Sequence, residues 1–105
     1  MEKANKIYWA YVKFNDANGG KTRPVLFIRQ SKTDYVVFRL TSKFQNKSKH
    51  MQKFYVEVKD WQQANLSKPS WVDVYKTYSL PIKTTKLTFL GTLSKNDFAE
   101  VSKYL

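Results

Sequence analysis

Apolar residues fall in short runs along the chain, separated by polar and turn-forming residues, a spacing that predicts strands and not long helices. The first run, Ile7-Tyr8-Trp9-Ala10-Tyr11-Val12-Lys13-Phe14, is dense in β-branched and aromatic residues and predicts a strand. It lacks clean alternation, so burial is expected on most of both faces. Asn15-Asp16-Ala17-Asn18-Gly19-Gly20 is turn chemistry too long for a tight hairpin and predicts a flexible loop. Residues 25–30 give a second strand, apolar on both faces over 25–28, and a short polar connection, Ser31-Lys32-Thr33-Asp34, leads to a third over 35–40. Residues 54–58 predict a fourth. Asp60 then stands where it can cap a short helix over 61–66, closed by Ser67-Lys68-Pro69. Trp71-Val72-Asp73-Val74-Tyr75 alternates, with Trp71, Asp73 and Tyr75 on one face, and predicts a half-buried strand. Pro81 breaks the chain before the last strand, over 87–93. Ser94 and Asp97 frame a capping-box start to a C-terminal helix that buries Phe98, Val101 and Leu105, with Asp97 set against the helix dipole. Together these elements predict a mainly β fold with short helices: a small, strongly curved antiparallel sheet or partial barrel with a C-terminal helix.

With 105 residues the chain is expected to form one domain, 1–105, able to bury a core without staples. It contains no cysteine and one histidine, so neither a disulfide framework, a thiolate metal site nor a histidine metal cluster is expected. No metal or other cofactor is implied. The segment Met1-Glu2-Lys3-Ala4-Asn5-Lys6 lacks the apolar core of a signal peptide, and no apolar run approaches the ~20 residues of a membrane span. A soluble, cytoplasmic protein is the expectation. Nineteen Lys and Arg against eight Asp and Glu give a net charge of +11, a field that attracts polyanions. Three Trp, seven Tyr and seven Phe accompany that charge, and aromatic faces beside cations are what single-strand binding uses. An acidic protein partner would satisfy the same field, and most of the aromatics also suit a β core.

The densest candidate chemistry lies at Gly19-Gly20-Lys21-Thr22-Arg23-Pro24-Val25-Leu26-Phe27-Ile28, where a basic glycine loop passes through Arg-Pro into an apolar strand. Pro24 biases Arg23 toward an extended backbone, which holds a guanidinium at the strand mouth. A guanidinium is a planar, permanently charged fork suited to gripping a phosphate and to stabilising charge that builds up on it. On local sequence alone an exposed loop arginine is an equal reading. The basic stretch from Thr41 to His50, with Ser42, Lys43 and Phe44 at its start, is a candidate second rim of a binding groove; Lys47, Lys49 and His50 fit a solvated surface as well.

These pieces together resemble the MazF/PemK family, the toxin half of type II toxin-antitoxin pairs, from Ile7 to the end of the chain. The resemblance rests on the opening strand Tyr8-Trp9-Ala10-Tyr11-Val12-Lys13-Phe14, on Gly20-Lys21-Thr22-Arg23-Pro24-Val25-Leu26-Phe27-Ile28, on Leu40-Thr41-Ser42, and on Leu90-Gly91-Thr92-Leu93-Ser94 before a helix. It implies an SH3-like barrel, a homodimer, and a cytoplasmic endoribonuclease that cuts single-stranded mRNA without a metal. The 2′-hydroxyl would be the nucleophile, leaving a 2′,3′-cyclic phosphate and a 5′-hydroxyl. By resemblance Arg23 and Thr41 are the catalytic pair. Asp16, Ser42 and Tyr78 are further candidates for catalysis or positioning, and Lys21, Thr22, Lys43, Phe44, Lys47 and Lys76 are expected RNA contacts. A cognate antitoxin with an acidic, disordered segment is the implied partner, competing with RNA for the basic groove. Two departures stand out. Asn5-Lys6 replace a common Gly-Asp before the first strand, and Tyr78 stands over an arginine of the family's Ile-Arg-Thr run, which Val74-Tyr75-Lys76-Thr77-Tyr78-Ser79-Leu80 replaces. Tyr78 can stack on a base or bond a phosphate but does not restore the charge. Two other readings are a non-catalytic RNA-binding barrel and a gyrase-poisoning toxin of the CcdB kind on the same fold.

Overall fold

The computed structural model describes residues 5–12 and 21–105; the expected loop at 15–20, with Asp16, Gly19 and Gly20, and the end of the first expected strand, Lys13 and Phe14, lie outside the described residues. Within them run β1 (Lys6–Val12), β2 (Lys21–Gln30), β3 (Asp34–Thr41), a 3-10 turn (Phe44–Asn46), α1 (Lys49–Gln52), β4 (Tyr55–Val58), β5 (Ser70–Pro81), β6 (Leu87–Thr92) and α2 (Lys95–Ser102). The six strands form one antiparallel sheet in the order β4-β5-β3-β2-β1-β6. The expected class therefore holds: mainly β, with short helices and a helix closing the chain.

Alternation along the central strands feeds two apolar clusters, one on each face of the sheet. Ile7, Leu26, Phe38, Leu40, Val58, Val72 and Val74 gather on one face with Leu93 and Val101, so α2 packs here. Val25, Val37, Ala10 and Leu80 gather on the other, flanked by Tyr8, Tyr35 and Tyr78. Register shifts at Ile7/Tyr8, Phe27/Arg29 and Val37/Arg39 act as bulges, and bulges are what bend a sheet this small. The last is the largest: Val37 faces Tyr78 while Arg39 faces Asp73, so Tyr75, Lys76 and Thr77 bow outward into solvent.

Several expectations are corrected. β1 is not buried on both faces, because Trp9 and Tyr11 are exposed while Ile7 and Ala10 are buried. Instead of a helix over 61–66 there is a single turn: Ala64 N–H donates to the Asp60 carbonyl, then Asn65 takes φ 66° and ends the spiral, with Leu66 N–H donating back to Trp61 O. Leu105 is exposed, beyond the end of α2, whereas Val101 is buried as expected. The basic stretch 41–50, expected as a groove rim or a solvated surface, carries two single helical turns, the second running on to Gln52 and capped by Ser48 Oγ accepting from Met51 N–H.

Asp97 explains how α2 is fixed. Ser94 Oγ caps the helix by accepting from Asp97 N–H, but the Asp97 carboxylate does not complete the reciprocal box. Buried to 2% exposure, it accepts instead from the backbone N–H groups of Lys59 and Asp60, at 3.1 and 2.9 Å, and so ties the helix to the chain leaving β4.

Candidate functional site

The site grows from the place where the β2–β3 ladder opens. Pro24 has no N–H to give, and the ladder ends one residue on, at Val25↔Arg39. Extending that antiparallel register by two residues sets Arg23 against Thr41, on the same face of the sheet. β2 begins at Lys21 and not at residue 25, so Arg23 sits inside a strand, paired to Ala10 of β1. A strand backbone, firmer than a loop, holds its exposed side chain, and among the described residues no carboxylate pairs with it. Thr41 is half-buried and pairs with Trp71 on its other side. Its Oγ1 accepts from Lys43 N–H at 3.1 Å, which turns the chain out of β3 and leaves the hydroxyl proton free to be donated.

Arg23, Thr41, Ser42 and Lys43 line one pocket of about 270 Å³. The remaining lining includes residues that sequence reasoning did not single out, Trp9, Asn65, Ser67, Lys68 and Ser70, beside the apolar Pro24, Leu40, Leu66 and Leu90. Among the described residues that line the pocket three are cations, Arg23, Lys43 and Lys68, and none is acidic. Such a surface attracts anionic oxygen, and its hydroxyls supply neutral donors beside the charge. Trp9 was hidden in the sequence by its apolar neighbours; the turn that brings in Asn65 and Lys68 was masked by the expected helix.

Other expected residues lie elsewhere. Lys21 and Thr22 are exposed just before Arg23 on β2, across from Val12 and Tyr11. The Phe44 ring is stacked on Trp71, centroids 4.8 Å apart at 11°, so it braces the strand beside Thr41. Lys47 is half-buried on the 3-10 turn, where its carbonyl accepts from Gln52 Nε2. Tyr78 faces Val37, well along β3 from Thr41, and packs on the second apolar cluster. Lys76 Nζ lies 5.1 Å from the centre of the Tyr78 ring. Neither Tyr78 nor Lys76 lines the Arg23–Thr41 pocket.

Asp73, on an alternating strand, is 4% exposed and fully engaged: one oxygen accepts from Arg39 Nε at 3.0 Å and the other from Tyr75 N–H at 3.0 Å. Burial works against the Arg39 charge, but its hydrogen bonds to Asp73 and Tyr55 outweigh that and raise its pKa above the ordinary arginine value. The pair is structural, bracing the bulged β3–β5 seam. Among the described residues no three His, Asp or Glu side chains gather in a metal-holding arrangement.

Residues 3–105 match the family model described as PemK-like, MazF-like toxin of type II toxin-antitoxin system. The chain belongs to that family. The match spans nearly the whole sequence, so the family resemblance read from residues 7 onward is correct and the chain is the toxin member of such a pair, with an antitoxin as its counterpart. No curated protein matches the chain. Among the described residues no helix is long and apolar enough to cross a membrane.

Proposed function

We propose that this toxin is an endoribonuclease that cuts single-stranded RNA, mRNA above all, in the cytoplasm, with Arg23 and Thr41 as its catalytic residues. The observation that carries the reading is the meeting of Arg23 and Thr41 at one open ladder end, in a pocket that also contains Lys43 and Lys68 and, among the described residues, no carboxylate. In this chemistry the RNA supplies its own nucleophile. The 2′-hydroxyl attacks the adjacent phosphorus in line, its proton passing to water, and the P–O5′ bond breaks as the 5′ oxygen takes a proton from solvent. The products are a 2′,3′-cyclic phosphate and a 5′-hydroxyl. The protein has only to align the reacting atoms and stabilise the dianionic phosphorane, tasks for position and fixed charge. The Arg23 guanidinium holds the non-bridging oxygens, and the free Thr41 proton donates to one of them. Ser42, half-buried beside them, is a positioning residue. Because DNA lacks the 2′-hydroxyl, the activity is confined to RNA. An acidic antitoxin segment would occupy the same cationic rim and exclude RNA, and the toxin acts as a homodimer.

The test is to incubate the purified protein with a long mixed-sequence RNA in EDTA, beside Arg23→Ala, and to map the new ends. Discrete cuts bearing 5′-hydroxyl groups, lost in the variant, are expected. Intact RNA with a clear shift of its electrophoretic mobility would replace this reading with a binding module.

A further inference from the structure

The pocket is more than a phosphate cradle, because a phosphate has no use for apolar lining. Half-buried Leu66 and Leu90 and the 39%-exposed Trp9 line it together with the cations Lys43 and Lys68. Apolar lining, one aromatic residue and positive charge together describe a site for a nucleotide. At about 270 Å³ the space is below the ~300–1,000 Å³ of a drug-sized cleft, suited to a single nucleotide unit.

The part of the lining around Asn65 is tightly packed. Gly91 of β6 lies so close to the turn at residues 60–65 that an added Cβ would stand 1.9 Å from the Ala64 carbonyl oxygen. That close approach seats Asn65 on β6. Its backbone is left-handed at φ 66°, and its Nδ2 donates to the Leu90 carbonyl at 2.8 Å. Since a carbonyl accepts only from a donor, the bond also fixes which end of the amide faces β6. Oδ1 is the end left over, and no described residue donates to it.

We propose that this pocket binds one unpaired nucleobase of the RNA, with Trp9 as its stacking face and Asn65 Oδ1 as the acceptor that selects an amino base, adenine or cytosine, over a keto base, uracil or guanine. The inference rests on the RNA-directed reading of the same site, and makes Asn65 a specificity-determining residue. Amino and keto bases present opposite hydrogen-bonding groups at corresponding edges, a donor at adenine N6 and cytosine N4, an acceptor at guanine O6 and uracil O4. A fixed acceptor reads that difference, while stacking on Trp9 is indifferent to it.

Oligomers of deoxycytidine and deoxyuridine, six nucleotides long, test the selection without strand scission, because they lack the 2′-hydroxyl and are similar in size and stacking. Fluorescence anisotropy should show the parent toxin binding the deoxycytidine hexamer about threefold to tenfold tighter, the worth of one modest hydrogen bond. Asn65→Gly accepts the left-handed backbone and should bring the ratio close to one. Trp9→Ala should weaken both hexamers about tenfold, and Trp9→Phe should recover most of that loss. Equal binding of the two hexamers by the parent, or an unchanged ratio in Asn65→Gly, overturns the inference. So does binding of an acidic peptide with no measurable affinity for either hexamer, which would assign the pocket to a protein partner. The two readings fail separately: discrimination lost through Asn65 with RNA left uncut removes only the ribonuclease, and cut RNA without discrimination removes only the base pocket.

Discussion

At the scale of single residues, the account turns on two side chains with different duties. Arg23 supplies a permanent charge and Thr41 a neutral donor whose own acceptor is already occupied by Lys43 N–H. Removing a donor aimed at developing charge costs about 10²–10³ in rate where the site is preorganised. Arg23→Ala is expected to lose at least that much cleavage with an unchanged thermal melt. Thr41→Val keeps the size and branching of the side chain; its cleavage should drop about tenfold to a hundredfold, with RNA affinity changed less than threefold. Single-turnover rates against RNA concentration would separate the two quantities, and a Thr41→Val enzyme as fast as the parent would remove the hydroxyl from the chemistry.

At the scale of elements, the strands were legible because β-branched and aromatic runs have few alternatives, and α2 because Ser94 and Asp97 mark its start. What could not be read was where elements stop and what they touch. The strand around Asp73 alternates in the sequence, yet that aspartate is buried because Arg39, distant in the chain, meets it across the sheet. The expected helix after Asp60 fails at Asn65, whose left-handed backbone is set by its seat on β6. Half of the site was visible, Arg23 through the Arg-Pro pair and Thr41 through its family resemblance. The other half, Trp9, Asn65 and Lys68, arrives from segments brought together only by folding. Gly91 is the hinge of that assembly. Gly91→Ala should cost about 2–3 kcal/mol, the upper part of the ~1–3 kcal/mol range for overpacking because the atom met is backbone, and lower the melting temperature by about 10 °C or more. A melt within ~2 °C of the parent would show that the turn can retreat from β6 at little cost.

At the scale of the whole molecule, the net charge of +11 is a general attraction that the pocket makes local. If Arg23, Lys43 and Lys68 each take one phosphate, log K for a single strand should fall with log salt at a slope of about −2, from ~0.7 per phosphate. Lys68→Ala should reduce that slope to about −1.4 without abolishing binding. A slope unaffected by Lys68→Ala would place its contacts away from the strand. The same field suits an acidic antitoxin segment, so antitoxin and RNA should compete, each raising the apparent Kd of the other.

The central claim is that the RNA attacks itself while the protein holds the phosphate. It is tested most directly with an oligonucleotide spanning a mapped cut, all RNA except for one 2′-deoxy sugar on the 5′ side of the scissile phosphate. The account predicts that this strand binds like its parent and stays whole, while the all-RNA strand yields a 2′,3′-cyclic phosphate. Cleavage of the deoxy-substituted strand at the same bond would contradict it.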